Sequence, residues 1–570
     1  MFIAVLTRKR LDMKKFDGMA VKEHTAGKYF LTIIHDNYFS RCSESPAEIV
    51  FFESPVGSED VSYNKIRFDK NKQSLSVYKP TSSGRSIYYH SSNDEFFCAS
   101  HLGLLRNAGI LLQENPAMLP EYYVYRYVMP PNTLLKGIYQ MPMGSTLKVD
   151  CLGDACTVHP LERYKPPMPA KNGVTLSEVA DKSCSFLRQS MEGLSSKSES
   201  LAVLLSGGID SSITTKLGQD LFGLDISYST GYPFESETSN IEKEYALTAK
   251  DALSINHEYF EATTNDYLYG LIDTIAAAEQ PVHHLQSVML YLLFKKGIPS
   301  DKKIVIQGVG AGGTFGNFRN HLYMLDKPVY RLFTFAPIRG IGGVIANATG
   351  RGIGFVNSLG NLHKMSLSLS DPHNPIWSWH DYGSIEWVCD HFNVKPSDIF
   401  ASQLASLEFY TDRSVFDVYS LYSLLGDEDI TMSIWAKAAE ACGKILHSPL
   451  YDESLLEYMF SVPWKIKLQP PQNCIRKEIA RRCGVPEFII NRRKSGFGVA
   501  PKRWAQKGGT FEPFVALSSK VVDKDTIRTV QSTSPKLSMI YWNMLNYAIW
   551  KRLVINNESV EALKDELATE

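Results

Sequence analysis

The first third of the chain alternates apolar and polar positions in short runs, at residues 2–6, 29–34, 48–52, 74–78, 87–90 and 95–99. A period of two, interrupted by turns, predicts an antiparallel, β-rich layer, with helices starting near Leu102 and over residues 120–127. Residues 164–172, Tyr-Lys-Pro-Pro-Met-Pro-Ala-Lys-Asn, suit an extended connector. Beyond it the period changes. A helix is expected from Thr175 to about residue 194, with Thr175 as cap and Glu178 three positions on. Five apolar residues, 201–205, read as a buried parallel strand. Ile213, Leu217 and Leu221 then recur at helical spacing, residues 225–232 and 258–261 read as strands around a further helix, and residues 303–307 as another. Strand–helix–strand order predicts a parallel, doubly wound sheet. Residues 319–379 are irregular and rich in Gly, Asn and aromatics; helical patterning returns from about residue 381 and ends in a core-facing helix carrying Ile540, Met544, Ile549 and Trp550. The acidic, polar stretch 557–570 is expected to fray.

Composition narrows the class. At 570 residues the chain has room for two or more domains, and a net charge of −1 gives no global argument for nucleic acid or a membrane surface. No apolar run approaches the ~18 residues of a membrane span. The first ten residues place their basic positions after the apolar ones, the reverse of a secretory signal. Nine scattered cysteines without a Cys-x-x-Cys pair read as free thiols, so a cytoplasmic location is expected.

The candidate chemistry centres on Ser206-Gly207-Gly208-Ile209-Asp210-Ser211-Ser212. A strand, a glycine turn and a helix start form an anion site, because backbone N–H groups and the helix dipole converge there. Serine hydroxyls add donors, and Asp210 can hold a magnesium ion against phosphate oxygens. The Lys-Ser/Thr ending of a Walker loop is missing. The stretch resembles the pyrophosphate loop of ATP pyrophosphatases, especially of the asparagine synthetase family. Further pieces resemble that family: residues 84–89, 96–100, 131–138 and 141–144 its amidotransferase half, the Glu242, Tyr245-Ala246, Leu253 and His257 register its nucleotide-binding half, and Arg476 followed by Arg493-Lys494-Ser495-Gly496-Phe497 its late basic motif.

The resemblance implies an N-terminal amidotransferase-like α/β sandwich (1–165), a doubly wound synthetase domain with a helical C-terminal part (173–556) and an acidic tail. It implies ATP contacts at Leu204, Leu205, Ser206, Gly207, Gly208, Ser211, Ser212, Thr230, Gln307 and Gly308. It makes Asp210 the metal ligand, and Asp210 and Lys494 the catalytic residues, with Lys494 over the α-phosphate. His257 and His447 are read as structural.

Two departures stand out. The family's glutaminase chemistry uses an N-terminal cysteine, whereas this sequence starts Met1-Phe2 and its first cysteine is Cys42; no glutamine hydrolysis is therefore expected, as in β-lactam synthetases and lasso-peptide cyclases. The family's Gly-Glu-Gly-Ala-Asp-Glu-Leu-Phe-Gly is here Gly308-Val309-Gly310-Ala311-Gly312-Gly313-Thr314-Phe315-Gly316, which removes its carboxylates. Three readings follow: Asp210 holds magnesium with waters, another group such as His283–His284 or Asp301 substitutes, or the site binds nucleotide without turnover. The expected function is an ATP-dependent, AMP-forming ligase joining a small-molecule or peptide carboxylate to an amine, with cyclisation one form of it; the alternative is a degenerate binding or scaffold subunit. A homodimer or a pathway protein is the macromolecular partner left open.

Overall fold

The computed structural model describes residues 1–36, 40–53, 63–82, 84–92, 94–151, 155–170, 173–233, 237–316, 385–410, 413–492, 501–533 and 537–569. Segment 319–379 and the motif Arg493 to Phe497, Lys494 included, lie outside them.

The alternating N-terminal runs form two six-stranded antiparallel sheets. Strand Phe2–Thr7 lies between Tyr29–His35 and Phe96–Ala99, with Phe2 opposite His35. Phe2, Ala4 and Leu6 face the second sheet and pack with Ile49, Phe51, Leu75 and Val77. Ile3 and Val5 point the other way, into a cluster shared with the C-terminal helices. Every residue of this strand is therefore buried, because both faces of its sheet are covered.

The second half is built on a five-stranded parallel sheet. Its strands are β1 (Leu201–Leu204), β2 (Ile226–Gly231), β3 (Asn256–Glu261), β4 (Ile304–Ile306) and β5 (Ile445–His447), in spatial order β3-β2-β1-β4-β5. Val203 sits beside Ser227 on one side and Ile306 on the other. After β1 the chain winds to one side through β2 and β3, then returns to β4. The order thus reverses between β1 and β4, and in such sheets ligands collect at the carboxyl ends of the strands flanking that point. Helix α1 (Leu176–Glu192) precedes β1 and starts in the predicted capping box of Thr175 and Glu178. Helix α2 (Ile209–Phe222) follows β1 and buries Ile213 and Leu217.

One hydrophobic cluster runs from Ile3 and Tyr122 in the N-terminal half to Tyr267, Trp435 and Trp542 in the C-terminal half. Polar ties cross the same junction. Lys79 Nζ donates to Asp429 Oδ2 at 2.7 Å with both side chains buried, and Asn543 Nδ2 donates to the Tyr123 carbonyl at 2.7 Å. The expected connector is held down as well: the Tyr164 carbonyl accepts from Tyr410 Oη, and the Ala170 N–H donates to the Ser461 carbonyl.

The expectation of a frayed C-terminus is corrected. Residues Val560–Ala568 form a helix capped by Ser559, with Leu563 and Leu567 buried. Two leucines four apart share one face, and Lys564 pairs with Asp273 while Glu566 pairs with Arg552. The high density of charge hid this apolar stripe.

Candidate nucleotide site

The loop after β1 has little freedom. Gly207 has φ +70°, and a Cβ there would lie 2.2 Å from the Tyr245 carbonyl oxygen. The loop also bonds to itself: the Ser206 N–H donates to Ser211 Oγ at 3.1 Å, and that hydroxyl donates to the Gly208 carbonyl at 3.1 Å. Gly208 caps α2 with extended backbone, so the first N–H groups of the helix have no intrahelical acceptors.

The loop after β4 meets it backbone to backbone. A Cβ at Gly308 would fall 2.5 Å from the Asp210 carbonyl carbon and the Ser211 nitrogen. The two glycine positions therefore carry steric necessity as well as turn geometry. Helix α3 (Glu237–Ala252) supplies the wall behind Gly207 through Tyr245.

Ser206 of the first loop borders a cleft lined also by Thr230, Gly231, Tyr232, Glu242, Ala246, Tyr259 and Gln286, among others. Ser206 and Thr230 of the expected ATP contacts face it. Others do not: Leu205 and Ser212 are fully buried, Leu204 is part-buried strand, and Ser211 is spent on the loop. Gln307 is also buried, with Nε2 donating to Ser448 Oγ at 2.7 Å.

Asp210 is engaged. Arg476, from helix α4 (Cys474–Arg482), sets Nη1 at 3.0 Å and 3.3 Å from its two carboxylate oxygens. Sequence reasoning left Arg476 between phosphate and carboxylate partners; in the structure it takes the carboxylate. A further residue from the late part of the chain packs on the helix behind the glycine loop. The Arg492 guanidinium lies 3.8 Å from the centre of the Tyr245 ring, and burial lowers its pKa against the opposing pull of Glu242. Trp504 packs on Tyr232, a cleft residue.

The second loop has found an acid from elsewhere. The Gly313 N–H donates to Glu428 Oε1 at 2.5 Å, and a Cβ at Gly313 would lie 3.3 Å from the Glu428 carboxyl carbon. Sequence reasoning missed Glu428, and only the small residue at 313 hinted that something else fills that space. Asp301 does not fit the substitute role, since it is exposed at the amino end of β4, opposite the ligand-collecting end. His257 accepts or donates at both nitrogens, 2.9 Å from Ser227 Oγ and 2.7 Å from Ser229 Oγ. His447 lies 3.3 Å from Ser190 Oγ.

The sequence profile named asparagine synthase matches residues 185–366 and 385–533. The chain belongs to the asparagine synthase family. It is 20% identical over 426 residues to asparagine synthetase [glutamine-hydrolyzing] 1 of Bacillus subtilis, covering 74% of this chain and 65% of that protein. It is also 20% identical over 482 residues to a putative asparagine synthetase [glutamine-hydrolyzing] of Mycobacterium bovis and of Mycobacterium tuberculosis, covering 81% of this chain and 71% of each relative. Within this asparagine synthase fold the match takes in both glycine loops, Asp210 and Arg476.

Proposed function

We propose that the protein is an ATP-dependent, AMP-forming amide ligase. A carboxylate attacks the α-phosphorus of ATP, pyrophosphate leaves, and an amine then displaces AMP from the acyl-adenylate. The observation that carries this reading is the meeting of the two glycine loops at the reversal of strand order, beside an open cleft. In this reading Ser206 and the first N–H groups of α2 bind the triphosphate, and Thr230 borders the base. Asp210 is a carboxylate at the loop, half-exposed between Arg476 and solvent, and fits a magnesium ion held mainly by phosphates and water. Magnesium, when bound, supplies charge neutralisation on the phosphates.

Lys494 is assigned to the α-phosphate. Support comes from its flanks: Arg492 sits on Tyr245, whose carbonyl backs Gly207, and Trp504 packs on Tyr232, which lines the cleft. A compact ammonium suits charge that moves from carboxylate to phosphate oxygen during the reaction. Residues 1–165 are proposed as an amidotransferase-like layer without glutaminase activity, and 173–556 as the synthetase unit. Burial pushes the Cys42 thiol up and that of Cys98 up to about 12, so neither is an activated nucleophile. The amine is then ammonia, a bound amine or one within the same substrate, where ring closure gains from proximity.

The test is acid-dependent exchange of labelled pyrophosphate into ATP across a panel of carboxylic acids. Exchange with at least one acid, without glutamine, supports the ligase. One observation favours a second reading: Arg476 already neutralises Asp210, and Gly312 and Gly313 bring no carboxylate. Mg-ATP binding with no exchange for any acid favours that reading, a nucleotide-binding scaffold.

A further inference from the structure

We propose that His283, His284 and Asp427 form a binding site for a divalent transition-metal ion, separate from the magnesium of the triphosphate. His283 Nε2 lies 3.1 Å and His284 Nε2 3.3 Å from the same Asp427 oxygen, Oδ1, and all three ligand atoms lie within 4.8 Å of one another. Metal–nitrogen and metal–oxygen bonds of about 2.0–2.2 Å place neighbouring ligand atoms about 3.0–3.6 Å apart, a spacing that both nitrogen–oxygen edges of the trio already have. Two imidazoles and one carboxylate suit zinc or iron(II) and are a poor match for magnesium, which prefers oxygen.

The backbone around the trio is fixed. The Val282 N–H donates to Asn546 Oδ1, the His283 carbonyl accepts from Arg126 Nη1, and the His284 carbonyl accepts from the Ser287 N–H. Asp427 stands on a wide π-turn, Leu424–Glu428, a distortion frequent at functional sites. Thr431 Oγ1 donates to the Asp427 carbonyl and lies 3.0 Å from His283 Nε2. Two features limit affinity. Arg126 is a nearby cation, and among the described residues no group bonds His283 Nδ1, so the outer partner that usually orients a ligating imidazole is missing.

Three protein ligands leave at least one coordination position open. The trio lies between two parts of the site: Gln286, two residues past His284, lines the cleft, and Glu428, next to Asp427, holds the Gly313 N–H. On the ligase reading, and resting on it, an ion bound here would take water or a substrate oxygen in that open position.

Metal binding is measured without ATP, so its outcome is distinct from that of the ligase assay. The full-length protein is stripped with a chelator and titrated with Zn²⁺ in competition with a chromophoric indicator, and separately with Co²⁺ while the visible spectrum is recorded. The expected result is one ion per chain, a Co²⁺ ligand-field band, and affinity at least about tenfold weaker in His284→Ala and in Asp427→Asn. Circular dichroism identifies a variant that has unfolded; the second variant then decides. Absence of a stoichiometric ion and of the Co²⁺ band, or equal affinity in wild type and both folded variants, overturns the proposal.

Discussion

At the residue scale, Gly207 and Asp210 decide whether the loop can work. Alanine at 207 must move the Tyr245 carbonyl or abandon a left-handed backbone conformation. Asp210→Ala leaves Arg476 buried without its carboxylate, and on the ligase reading pyrophosphate exchange falls about 10²–10³-fold. An unchanged exchange rate in the folded variant would reject the role of Asp210. The glycine loop was legible in the sequence because its residues are contiguous. The Arg476–Asp210 pair was not, since 266 positions separate its members. Glu428 was hidden for the same reason, 115 positions from Gly313. Side-chain direction was also illegible: nothing in the spacing says that Ser211 bonds inward while Ser206 faces the cleft.

At the element scale, alternation and helical spacing located the elements because each has one buried face. The strand Ser74–Lys79 alternates in burial as that pattern requires, whereas Tyr29–His35, covered on both faces, is buried almost throughout. The terminal helix Val560–Ala568 was misread because net charge outweighed its two leucines. His257 fastens β2 to β3 through Ser227 and Ser229, and burial pushes it down to about 4. Its unfolded value is near 6.5, so the unfolded chain takes up its proton first as the solution is acidified. The stabilisation is complete above about pH 6.5 and declines toward about pH 4. Burial also brings His447, His283 and His101 down to about 4, and they add to the same slope. Thermal denaturation across this range should show a falling midpoint, with a smaller fall in His257→Gln. A midpoint that does not move would contradict the buried, neutral histidines.

At the scale of the whole molecule, the two halves share one core, which composition did not reveal. The Lys79–Asp429 pair crosses that junction fully buried. Removing one partner strands a charge in the interior, so Lys79→Met should cost roughly 3–5 kcal/mol. Replacing both, Lys79→Met with Asp429→Leu, should recover much of the loss. Chemical denaturation of the single and double variants checks this; a double variant no more stable than the single one would contradict it.

The central claim is that the turn at Gly207 binds the phosphates of ATP. Calorimetric titration of Mg-ATP into folded wild-type and Gly207→Ala protein tests it most directly. The expected result is one site per chain in the wild type and binding weakened beyond detection in the variant. No binding to the wild type, or equal binding to both, would contradict the account.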